Sequence, residues 1–445
     1  MSLTLSVWLG TFSYILYKSI FNSSAWGVIL YIFVFLLFPP AWWWGKSLPF
    51  SRWSLLAGVI LLVSTIFHNK KQNTKVDNSH DDKNRFTFNR NFVPIVCFLL
   101  ILNYFFVHFV LAADIKISAE RFTLALKFIF LFFLIITAIR KSDDLILVWL
   151  TILFSLGFLG YQINFNDIGG FVKGRLEYLP IPGARSSNLF ASLLVIFIVP
   201  LGALFFSSKS KKIKFFVFLC MPFILNMIFL VNSRGAYLGL IGACLFLILI
   251  VKKNERKIVF YVGICTLIAI SFLAKDEKIF QRFQTIFVAE DEKRDASASQ
   301  RMFLWRAALD LIADHPLGTG GDGFRKVHGY NYASRYGITQ FRAVHNGYLS
   351  IGCEWGIQGL GLVVALIYFI ASRSIKAANF LLHRHNLFKE SFFVKACVSG
   401  LMGFLICAMF TTVLDEEWLY WMLGFLYSIM NLVAANRFHF TESES

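Results

Sequence analysis

The chain has 445 residues, of which 57% are hydrophobic and only 16% charged, with a formal net charge of +17. A soluble domain carries roughly 45–50% apolar and about 25% charged residues, so a single soluble core is excluded. The Lys and Arg excess sits mostly in short loops between apolar runs, as an orientation signal, and no soluble basic domain remains for nucleic acid.

In chain order, apolar runs fall at 3–20, 25–44, 53–67, 92–112, 121–139, 143–160, 188–206, 213–231, 237–251, 258–274, 346–371, 393–413 and 417–435. Most approach the ~20 residues that cross a ~30 Å hydrocarbon layer as a helix. They predict an all-α polytopic membrane protein with about 12–13 transmembrane helices, the first two runs being the weakest. No cleavable signal peptide stands out, so the first run is expected to stay in the mature chain. Pro39-Pro40 and Trp42 to Trp44 read as an interfacial edge. The stretch 68–91, rich in Lys, Asn and Asp, reads as a solvated linker. The chain divides into an N-terminal transmembrane bundle at 1–274, a long loop at 275–345, and C-terminal transmembrane helices with a short tail at 346–445. Seven cysteines fall in apolar runs without metal-ligand spacing and read as small buried hydrophobes.

Lys209, Lys211, Lys212 and Lys214 crowd one loop; Lys252, Lys253, Arg256 and Lys257 a second; Arg373, Lys376, Arg384 and Lys389 a third. All three share one parity, which places that side in the cytoplasm. The opposite side holds 161–187, 232–236 and 275–345. In the last, Leu304, Ala307, Ala308, Leu311 and Ile312 recur at helical spacing. Ser297 or Ser299 is the expected cap, and His315-Pro316 the end.

Candidate chemistry gathers on this extracytoplasmic side, against the charge rule. Arg325, Lys326, Arg335 and Arg342 lie between Gly323 and His345 with no acidic residue; Arg301 and Arg306 precede them; Arg234 stands at a helix end; Lys173, Arg175 and Arg185 occupy 161–187. Guanidinium groups match phosphate oxygens bidentately. The bland alternative is contact with lipid headgroups, or salt bridges to Asp310, Asp314 and Glu290. His345 stands where the long loop re-enters the membrane, as a general base or as an ordinary interfacial histidine. Gly318-Thr319-Gly320-Gly321-Asp322-Gly323-Phe324 reads as a flexible turn or a phosphate nest. Glu416 and Glu417, beside Asp415, can orient His345, pair with an arginine, or cap a helix, and Lys395 is expected to snorkel to the cytoplasmic edge. No metal-ligand or serine-nucleophile motif occurs, so neither metal nor other cofactor is expected.

Five stretches in this order resemble the O-antigen ligase/polymerase superfamily of bacterial inner-membrane glycosyltransferases, over about the last 290 residues. They are Ser187-Asn188-Leu189-Phe190-Ala191, Asn232-Ser233-Arg234-Gly235-Ala236, the helix from Ser299 to Ala307, Asp314 to Phe324, and His345-Asn346-Gly347-Tyr348-Leu349. The resemblance implies a GT-C-like helical fold with one long periplasmic helical loop. It implies metal-free, inverting transfer of a glycan from undecaprenyl diphosphate to an acceptor hydroxyl at the periplasmic face of the inner membrane. The acceptor would be lipid A–core, another glycan or a protein hydroxyl. By position, His345 would be the base or position the acceptor, and Arg234, Arg301, Arg306, Arg185 and Arg342 would hold the diphosphate. The glycine stretch is longer than the family pattern, so Asp322 receives no role. A transporter of polyprenyl-linked sugars is the alternative of another class; it would require mid-membrane charges, of which the runs hold few.

Overall fold

The computed structural model describes residues 2–48, 52–70, 86–166, 168–172, 174–184, 186–257, 291–338, 340 and 342–439. Their elements are α1 (Leu3–Phe21), α2 (Ala25–Leu36), α3 (Trp53–Lys70), α4 (Phe92–Phe106, prolonged by a wider turn to Leu111), α5 (Ile115–Ala138) and α6 (Ser142–Phe165). An antiparallel hairpin follows, β1 (Gly170–Val172) and β2 (Arg175–Glu177). Then come α7 (Ser187–Ser207), α8 (Lys211–Val231), α9 (Arg234–Ile250), α10 (Asp291–Asp314), α11 (Gly329–Ser334), α12 (Gly347–His385), α13 (Phe388–Ala408) and α14 (Glu417–Ala434).

The protein is thus an all-α polytopic membrane protein. Among the described residues, seven helices, α4 to α8 with α12 and α13, are long and apolar enough to cross a bilayer; α2, α3 and α9 are shorter apolar helices. Twelve helices answer the apolar runs of the sequence, and the thirteenth run, 258–274, lies outside the described residues. Helix starts are marked by ordinary caps. Asp114 accepts from the N–H of Ile117, Ser186 from that of Leu189 and Ser210 from that of Ile213.

Helices from both ends of the chain share one core. Its centre is α13, packed on α7 and α9. Close approach there depends on small residues: a Cβ on Gly403 would stand 2.7 Å from the carbonyl of Gly239, and one on Gly400 2.3 Å from that of Ile196. A second, smaller cluster joins Leu304, Ala307, Ala308 and Leu311 of α10 to Phe324, Tyr332, Val344 and Cys353. The expected buried stripe of α10 is therefore present.

Several expectations are corrected. The helix of the long loop begins no later than Asp291, so neither Ser297 nor Ser299 caps it. Trp42 and Trp44 are buried, stacked on each other and tied to Trp8 and Phe158, while only Trp43 of the three is exposed. The end of the polar linker is packed: Phe86 meets Phe380 and Phe88 meets Tyr427. Cys244 is exposed on the outside of α9, whereas the other cysteines among the described residues are buried. Lys395 does not snorkel. It is fully buried and ion-paired with Glu255, which also accepts from the Ser391 hydroxyl.

The main departure lies in α12. At Gly356 the backbone leaves the helical region (φ 78°, ψ 171°), dividing α12 into a short half before Gly356 and a long half after it. The break frees carbonyls that lipid cannot satisfy, at a cost of several kcal/mol each. The glycine-rich loop satisfies them. The N–H of Thr319 donates to Cys353 O at 3.0 Å and that of Gly320 to Glu354 O at 3.0 Å, while the Asn103 side chain donates to Trp355 O at 2.9 Å. In return, the Ile357 N–H reaches Pro316 O at 2.9 Å. The N–H of Gly321 is taken by the Ser118 hydroxyl. This loop is therefore neither a flexible turn nor a nest for phosphate: its amides are occupied.

Gly318 sits at φ 102°, where a Cβ would come within 2.7 Å of Gly356 N and 2.8 Å of Glu354 O. Gly318→Ala should lower stability by on the order of 2–4 kcal/mol, read as a fall in thermal midpoint in detergent. Gly361→Ala, with nothing within 4 Å of the new methyl, should leave the midpoint unchanged or raise it slightly. Equal effects of the two substitutions would refute this account of the loop.

Candidate functional site

Each motif residue at the start of α12 has a local task. Asn346 is the N-cap, its side-chain oxygen accepting from the N–H groups of Tyr348 and Leu349. Gly347 lets the helix start close to the next turn, since a Cβ there would lie 3.0 Å from Leu414. The Tyr348 hydroxyl donates to Leu405 O on α13. His345 precedes this anchored turn with φ 55°, a left-handed conformation that costs a non-glycine residue about 1–2 kcal/mol. Such strain is typical of residues held for a purpose.

The motifs distant in sequence meet at the same end of the bundle. The Ser233 hydroxyl donates to Asn188 Oδ1 at 3.0 Å, joining the starts of α7 and α9. Glu177 of the hairpin clamps the start of α7, accepting from the N–H and hydroxyl of Ser187 at 2.8 and 2.7 Å. Arg234 is the first residue of α9 and is exposed. Gly235 packs against Phe410 at the end of α13, and Gly347 near Ala408 and Leu414. The starts of α7, α9 and α12 thus converge on the His345 face.

His345 is half-buried. Burial first, then the positive charges of Arg301 and Arg342, hold its imidazole below the usual histidine range. Arg301 is itself half-buried, and burial, with the nearby Arg175, makes its charged form less favourable than in water. Arg342 donates to the side-chain oxygens of Gln300 at 2.6 Å and Gln340 at 2.9 Å, which position it without neutralising it. Among the described residues, none of Arg175, Arg301 and Arg342 forms an ion pair with a carboxylate. The carboxylates expected as alternative partners are engaged elsewhere: Asp310 accepts from Tyr336 and Asp314 from Tyr332. The result is an imidazole whose protonated form is disfavoured by burial and by two nearby guanidinium groups.

Sequence reasoning placed Arg301, Arg342 and His345 together, and the structure brings them within electrostatic reach. Arg234 stands at the same end of the bundle. Arg306 does not join them. Five residues beyond Arg301, it lies about 140° further round the helix, exposed, with its charge felt by Tyr336 instead. Arg185, Lys173 and Glu290 lie outside the described residues. Arg175 was read only as part of a basic loop; the hairpin that carries it to Arg301 is too short to show as alternation.

A second polar group escaped notice. Arg121 of α5 bonds Asp415 at 2.7 Å and lies 3.5 Å from Asp322, which Lys326 also reaches at 2.6 Å. Burial opposes ionisation of Asp322, but its hydrogen bond from Lys326 and the charge of Arg121 hold the carboxyl below the usual range. This group ties the glycine loop to α5 and to the turn before α14. Arg121 and Asp415 also line a small cleft with Tyr104, Trp355 and Tyr420. Of the acidic run, Asp415 therefore pairs with an arginine, Glu417 accepts from the Trp421 indole, and Glu416 stands as the N-cap residue of α14 beside Gly183.

Among the described residues, no three His, Cys, Asp or Glu side chains converge as metal ligands. No curated protein matches the chain. Residues 216–364 match the family model described as O-antigen ligase, a stretch that includes Arg234, Arg301, Arg342 and His345, and this match supports the resemblance to the O-antigen ligase-like superfamily.

Proposed function

We propose that this protein transfers a glycan from undecaprenyl diphosphate to an acceptor hydroxyl at the periplasmic face of the bacterial inner membrane. The observation that carries the reading is the neutral-leaning His345 beside Arg301 and Arg342, with Arg175 near Arg301, cations without carboxylate partners among the described residues. A transferred glycan leaves behind a diphosphate, on which negative charge grows as the glycosidic bond breaks. Preorganised guanidinium groups stabilise that charge more in a half-buried site than in water. Arg301, Arg342 and Arg175 are the proposed holders, with Arg234 at the start of α9 completing the set. Arg185 remains a candidate from the sequence. Arg306, on the other side of α10, is left out of this set.

The acceptor hydroxyl needs a base that is unprotonated at neutral pH. Desolvation and neighbouring positive charge supply that condition for His345. The same hydrogen-bond acceptor would also orient the hydroxyl for attack from the face opposite the departing diphosphate, giving inversion. Lipid A–core is the favoured acceptor. A second lipid-linked unit, which would make the protein a polymerase, and a protein hydroxyl are the alternatives within the family. A sugar-lipid transporter is the reading outside it.

His345→Ala should lower kcat by about 10²–10⁴-fold with folding intact, in an assay of purified protein with lipid-linked donor, with and without lipid A–core. Product on lipid A–core supports ligation, lengthened donor supports polymerisation, and donor binding without turnover by the wild type favours transport.

The pH dependence follows from the same group. His345 becomes protonated, and its base function is lost, only as pH falls through a value below the ordinary ~6.5, so activity should persist below that pH before it drops. Arg301→Ala relieves part of the depression and should move the acid limb to higher pH. A limb that stays in place in this variant would remove His345 as the titrating base. Arg234→Ala should impair donor use, and Arg234→Lys as well where recognition is bidentate; full activity in both would exclude Arg234 from the site. Turnover should also survive chelators, and a loss restored by one divalent ion would contradict the metal-free reading.

A further inference from the structure

α10 has two unlike faces. Leu304, Ala307, Ala308 and Leu311 are buried against the start of α12 and its neighbours. On the other face Met302, Arg306, Leu309 and Ala313 follow one another at helical spacing and are exposed; Met302 is 57% exposed and Leu309 54%. The stripe itself includes no carboxylate; Asp310 and Asp314, to one side of it, accept hydrogen bonds from Tyr336 and Tyr332.

The stripe continues into surface that the transmembrane helices leave uncovered. Beyond α10, Pro316 accepts from Ile357 and Leu317 from the Gln358 side chain, so exposed Leu317 lies beside exposed Ile357. From Ile357 the exposed apolar stripe runs along the long half of α12 through Val364 and Tyr368, within a segment apolar enough to cross the bilayer. One apolar strip therefore leads from a spanning helix onto α10. On α10 the strip carries a single arginine, Arg306. An amphipathic helix lies in a bilayer interface with its apolar side chains among the acyl chains and its basic side chains on lipid phosphate.

We propose that the Met302–Arg306–Leu309 face of α10 lies in the bilayer leaflet on the His345 side, with Arg306 on a lipid phosphate. Arg301 and Arg306 then serve opposite faces of one helix, the first toward His345 and the second toward the bulk lipid. The surface is independent of the transfer chemistry, and its test does not use activity.

The test places a nitroxide at Met302→Cys or Leu309→Cys, with Cys244 and Cys265 replaced by alanine, in nanodiscs of phosphatidylethanolamine and phosphatidylglycerol. Accessibility to molecular oxygen and to a water-soluble nickel chelate is compared with a lipid-facing reference at Tyr368→Cys and an aqueous one at Lys212→Cys. The expected result is oxygen-dominated relaxation at both α10 positions, shifted toward the Tyr368 reference. Free access of the nickel chelate, as at position 212, overturns the proposal. Shielding from both reagents overturns it too, because protein would then cover the face. Arg306→Glu should shift the label at 309 toward nickel access while Arg306→Lys does not; an unchanged ratio in Arg306→Glu overturns the phosphate contact.

Discussion

A helix that stops hydrogen-bonding to itself inside a membrane protein must find other partners for its backbone, and this requirement organises the His345 face. The break at Gly356 releases the carbonyls of Cys353, Glu354 and Trp355, and the loop from Pro316 to Gly321 meets them together with Asn103. Because the loop is committed to the break, its position is determined by α12. Because Asp322 at its end is held by Arg121 and Lys326, its position is also determined by α5 and, through Asp415, by the turn before α14. The short half of α12, with His345 at its head, is thereby fixed against three other elements.

That rigidity bears on the proposed chemistry. A base with a left-handed backbone conformation needs surroundings that over-determine it. Here the Asn346 cap, the close approach of Gly347 to Leu414, and the Tyr348 hydroxyl on α13 provide them. The cations approach from different parts of the chain: Arg175 on a hairpin clamped by Glu177 to α7, Arg301 on α10, and Arg342 held by two amide side chains. Amides in place of carboxylates leave the positive charge available to an anionic ligand.

Much of this was legible in the amino-acid order. Apolar runs predicted the helices, since length and hydropathy suffice where lipid forbids other spanning structure. The stripe from Leu304 to Leu311 predicted the buried side of α10. Arg301 and Arg342 were picked out because basic residues stood on the side where the charge rule disfavours them, and His345 because it stands where the long loop re-enters the membrane. What was not legible depends on distant partners. Arg121 looks like any arginine near a helix end until Asp322 and Asp415, about 200 and 294 residues away, reach it. Gly356 lies among other glycines in an apolar run, and no proline marks the break. Arg306 looked equivalent to Arg301 because a list of basic residues does not record which side of a helix each occupies.

The buried pair of Lys395 and Glu255 has a consequence for how the protein is made. A lone ammonium within a nascent apolar helix is costly in hydrocarbon, and α13, largely enclosed by its neighbours, offers the fully buried Lys395 no route to water once packed. Its partner lies 140 residues earlier in the chain. By the time α13 leaves the ribosome, Glu255 has already been synthesised at the end of α9, and α7, the other wall of its slot, has been made as well. The charge can then be matched as the helix docks, so the order of synthesis itself spares the central helix a period as an unpaired charge in lipid.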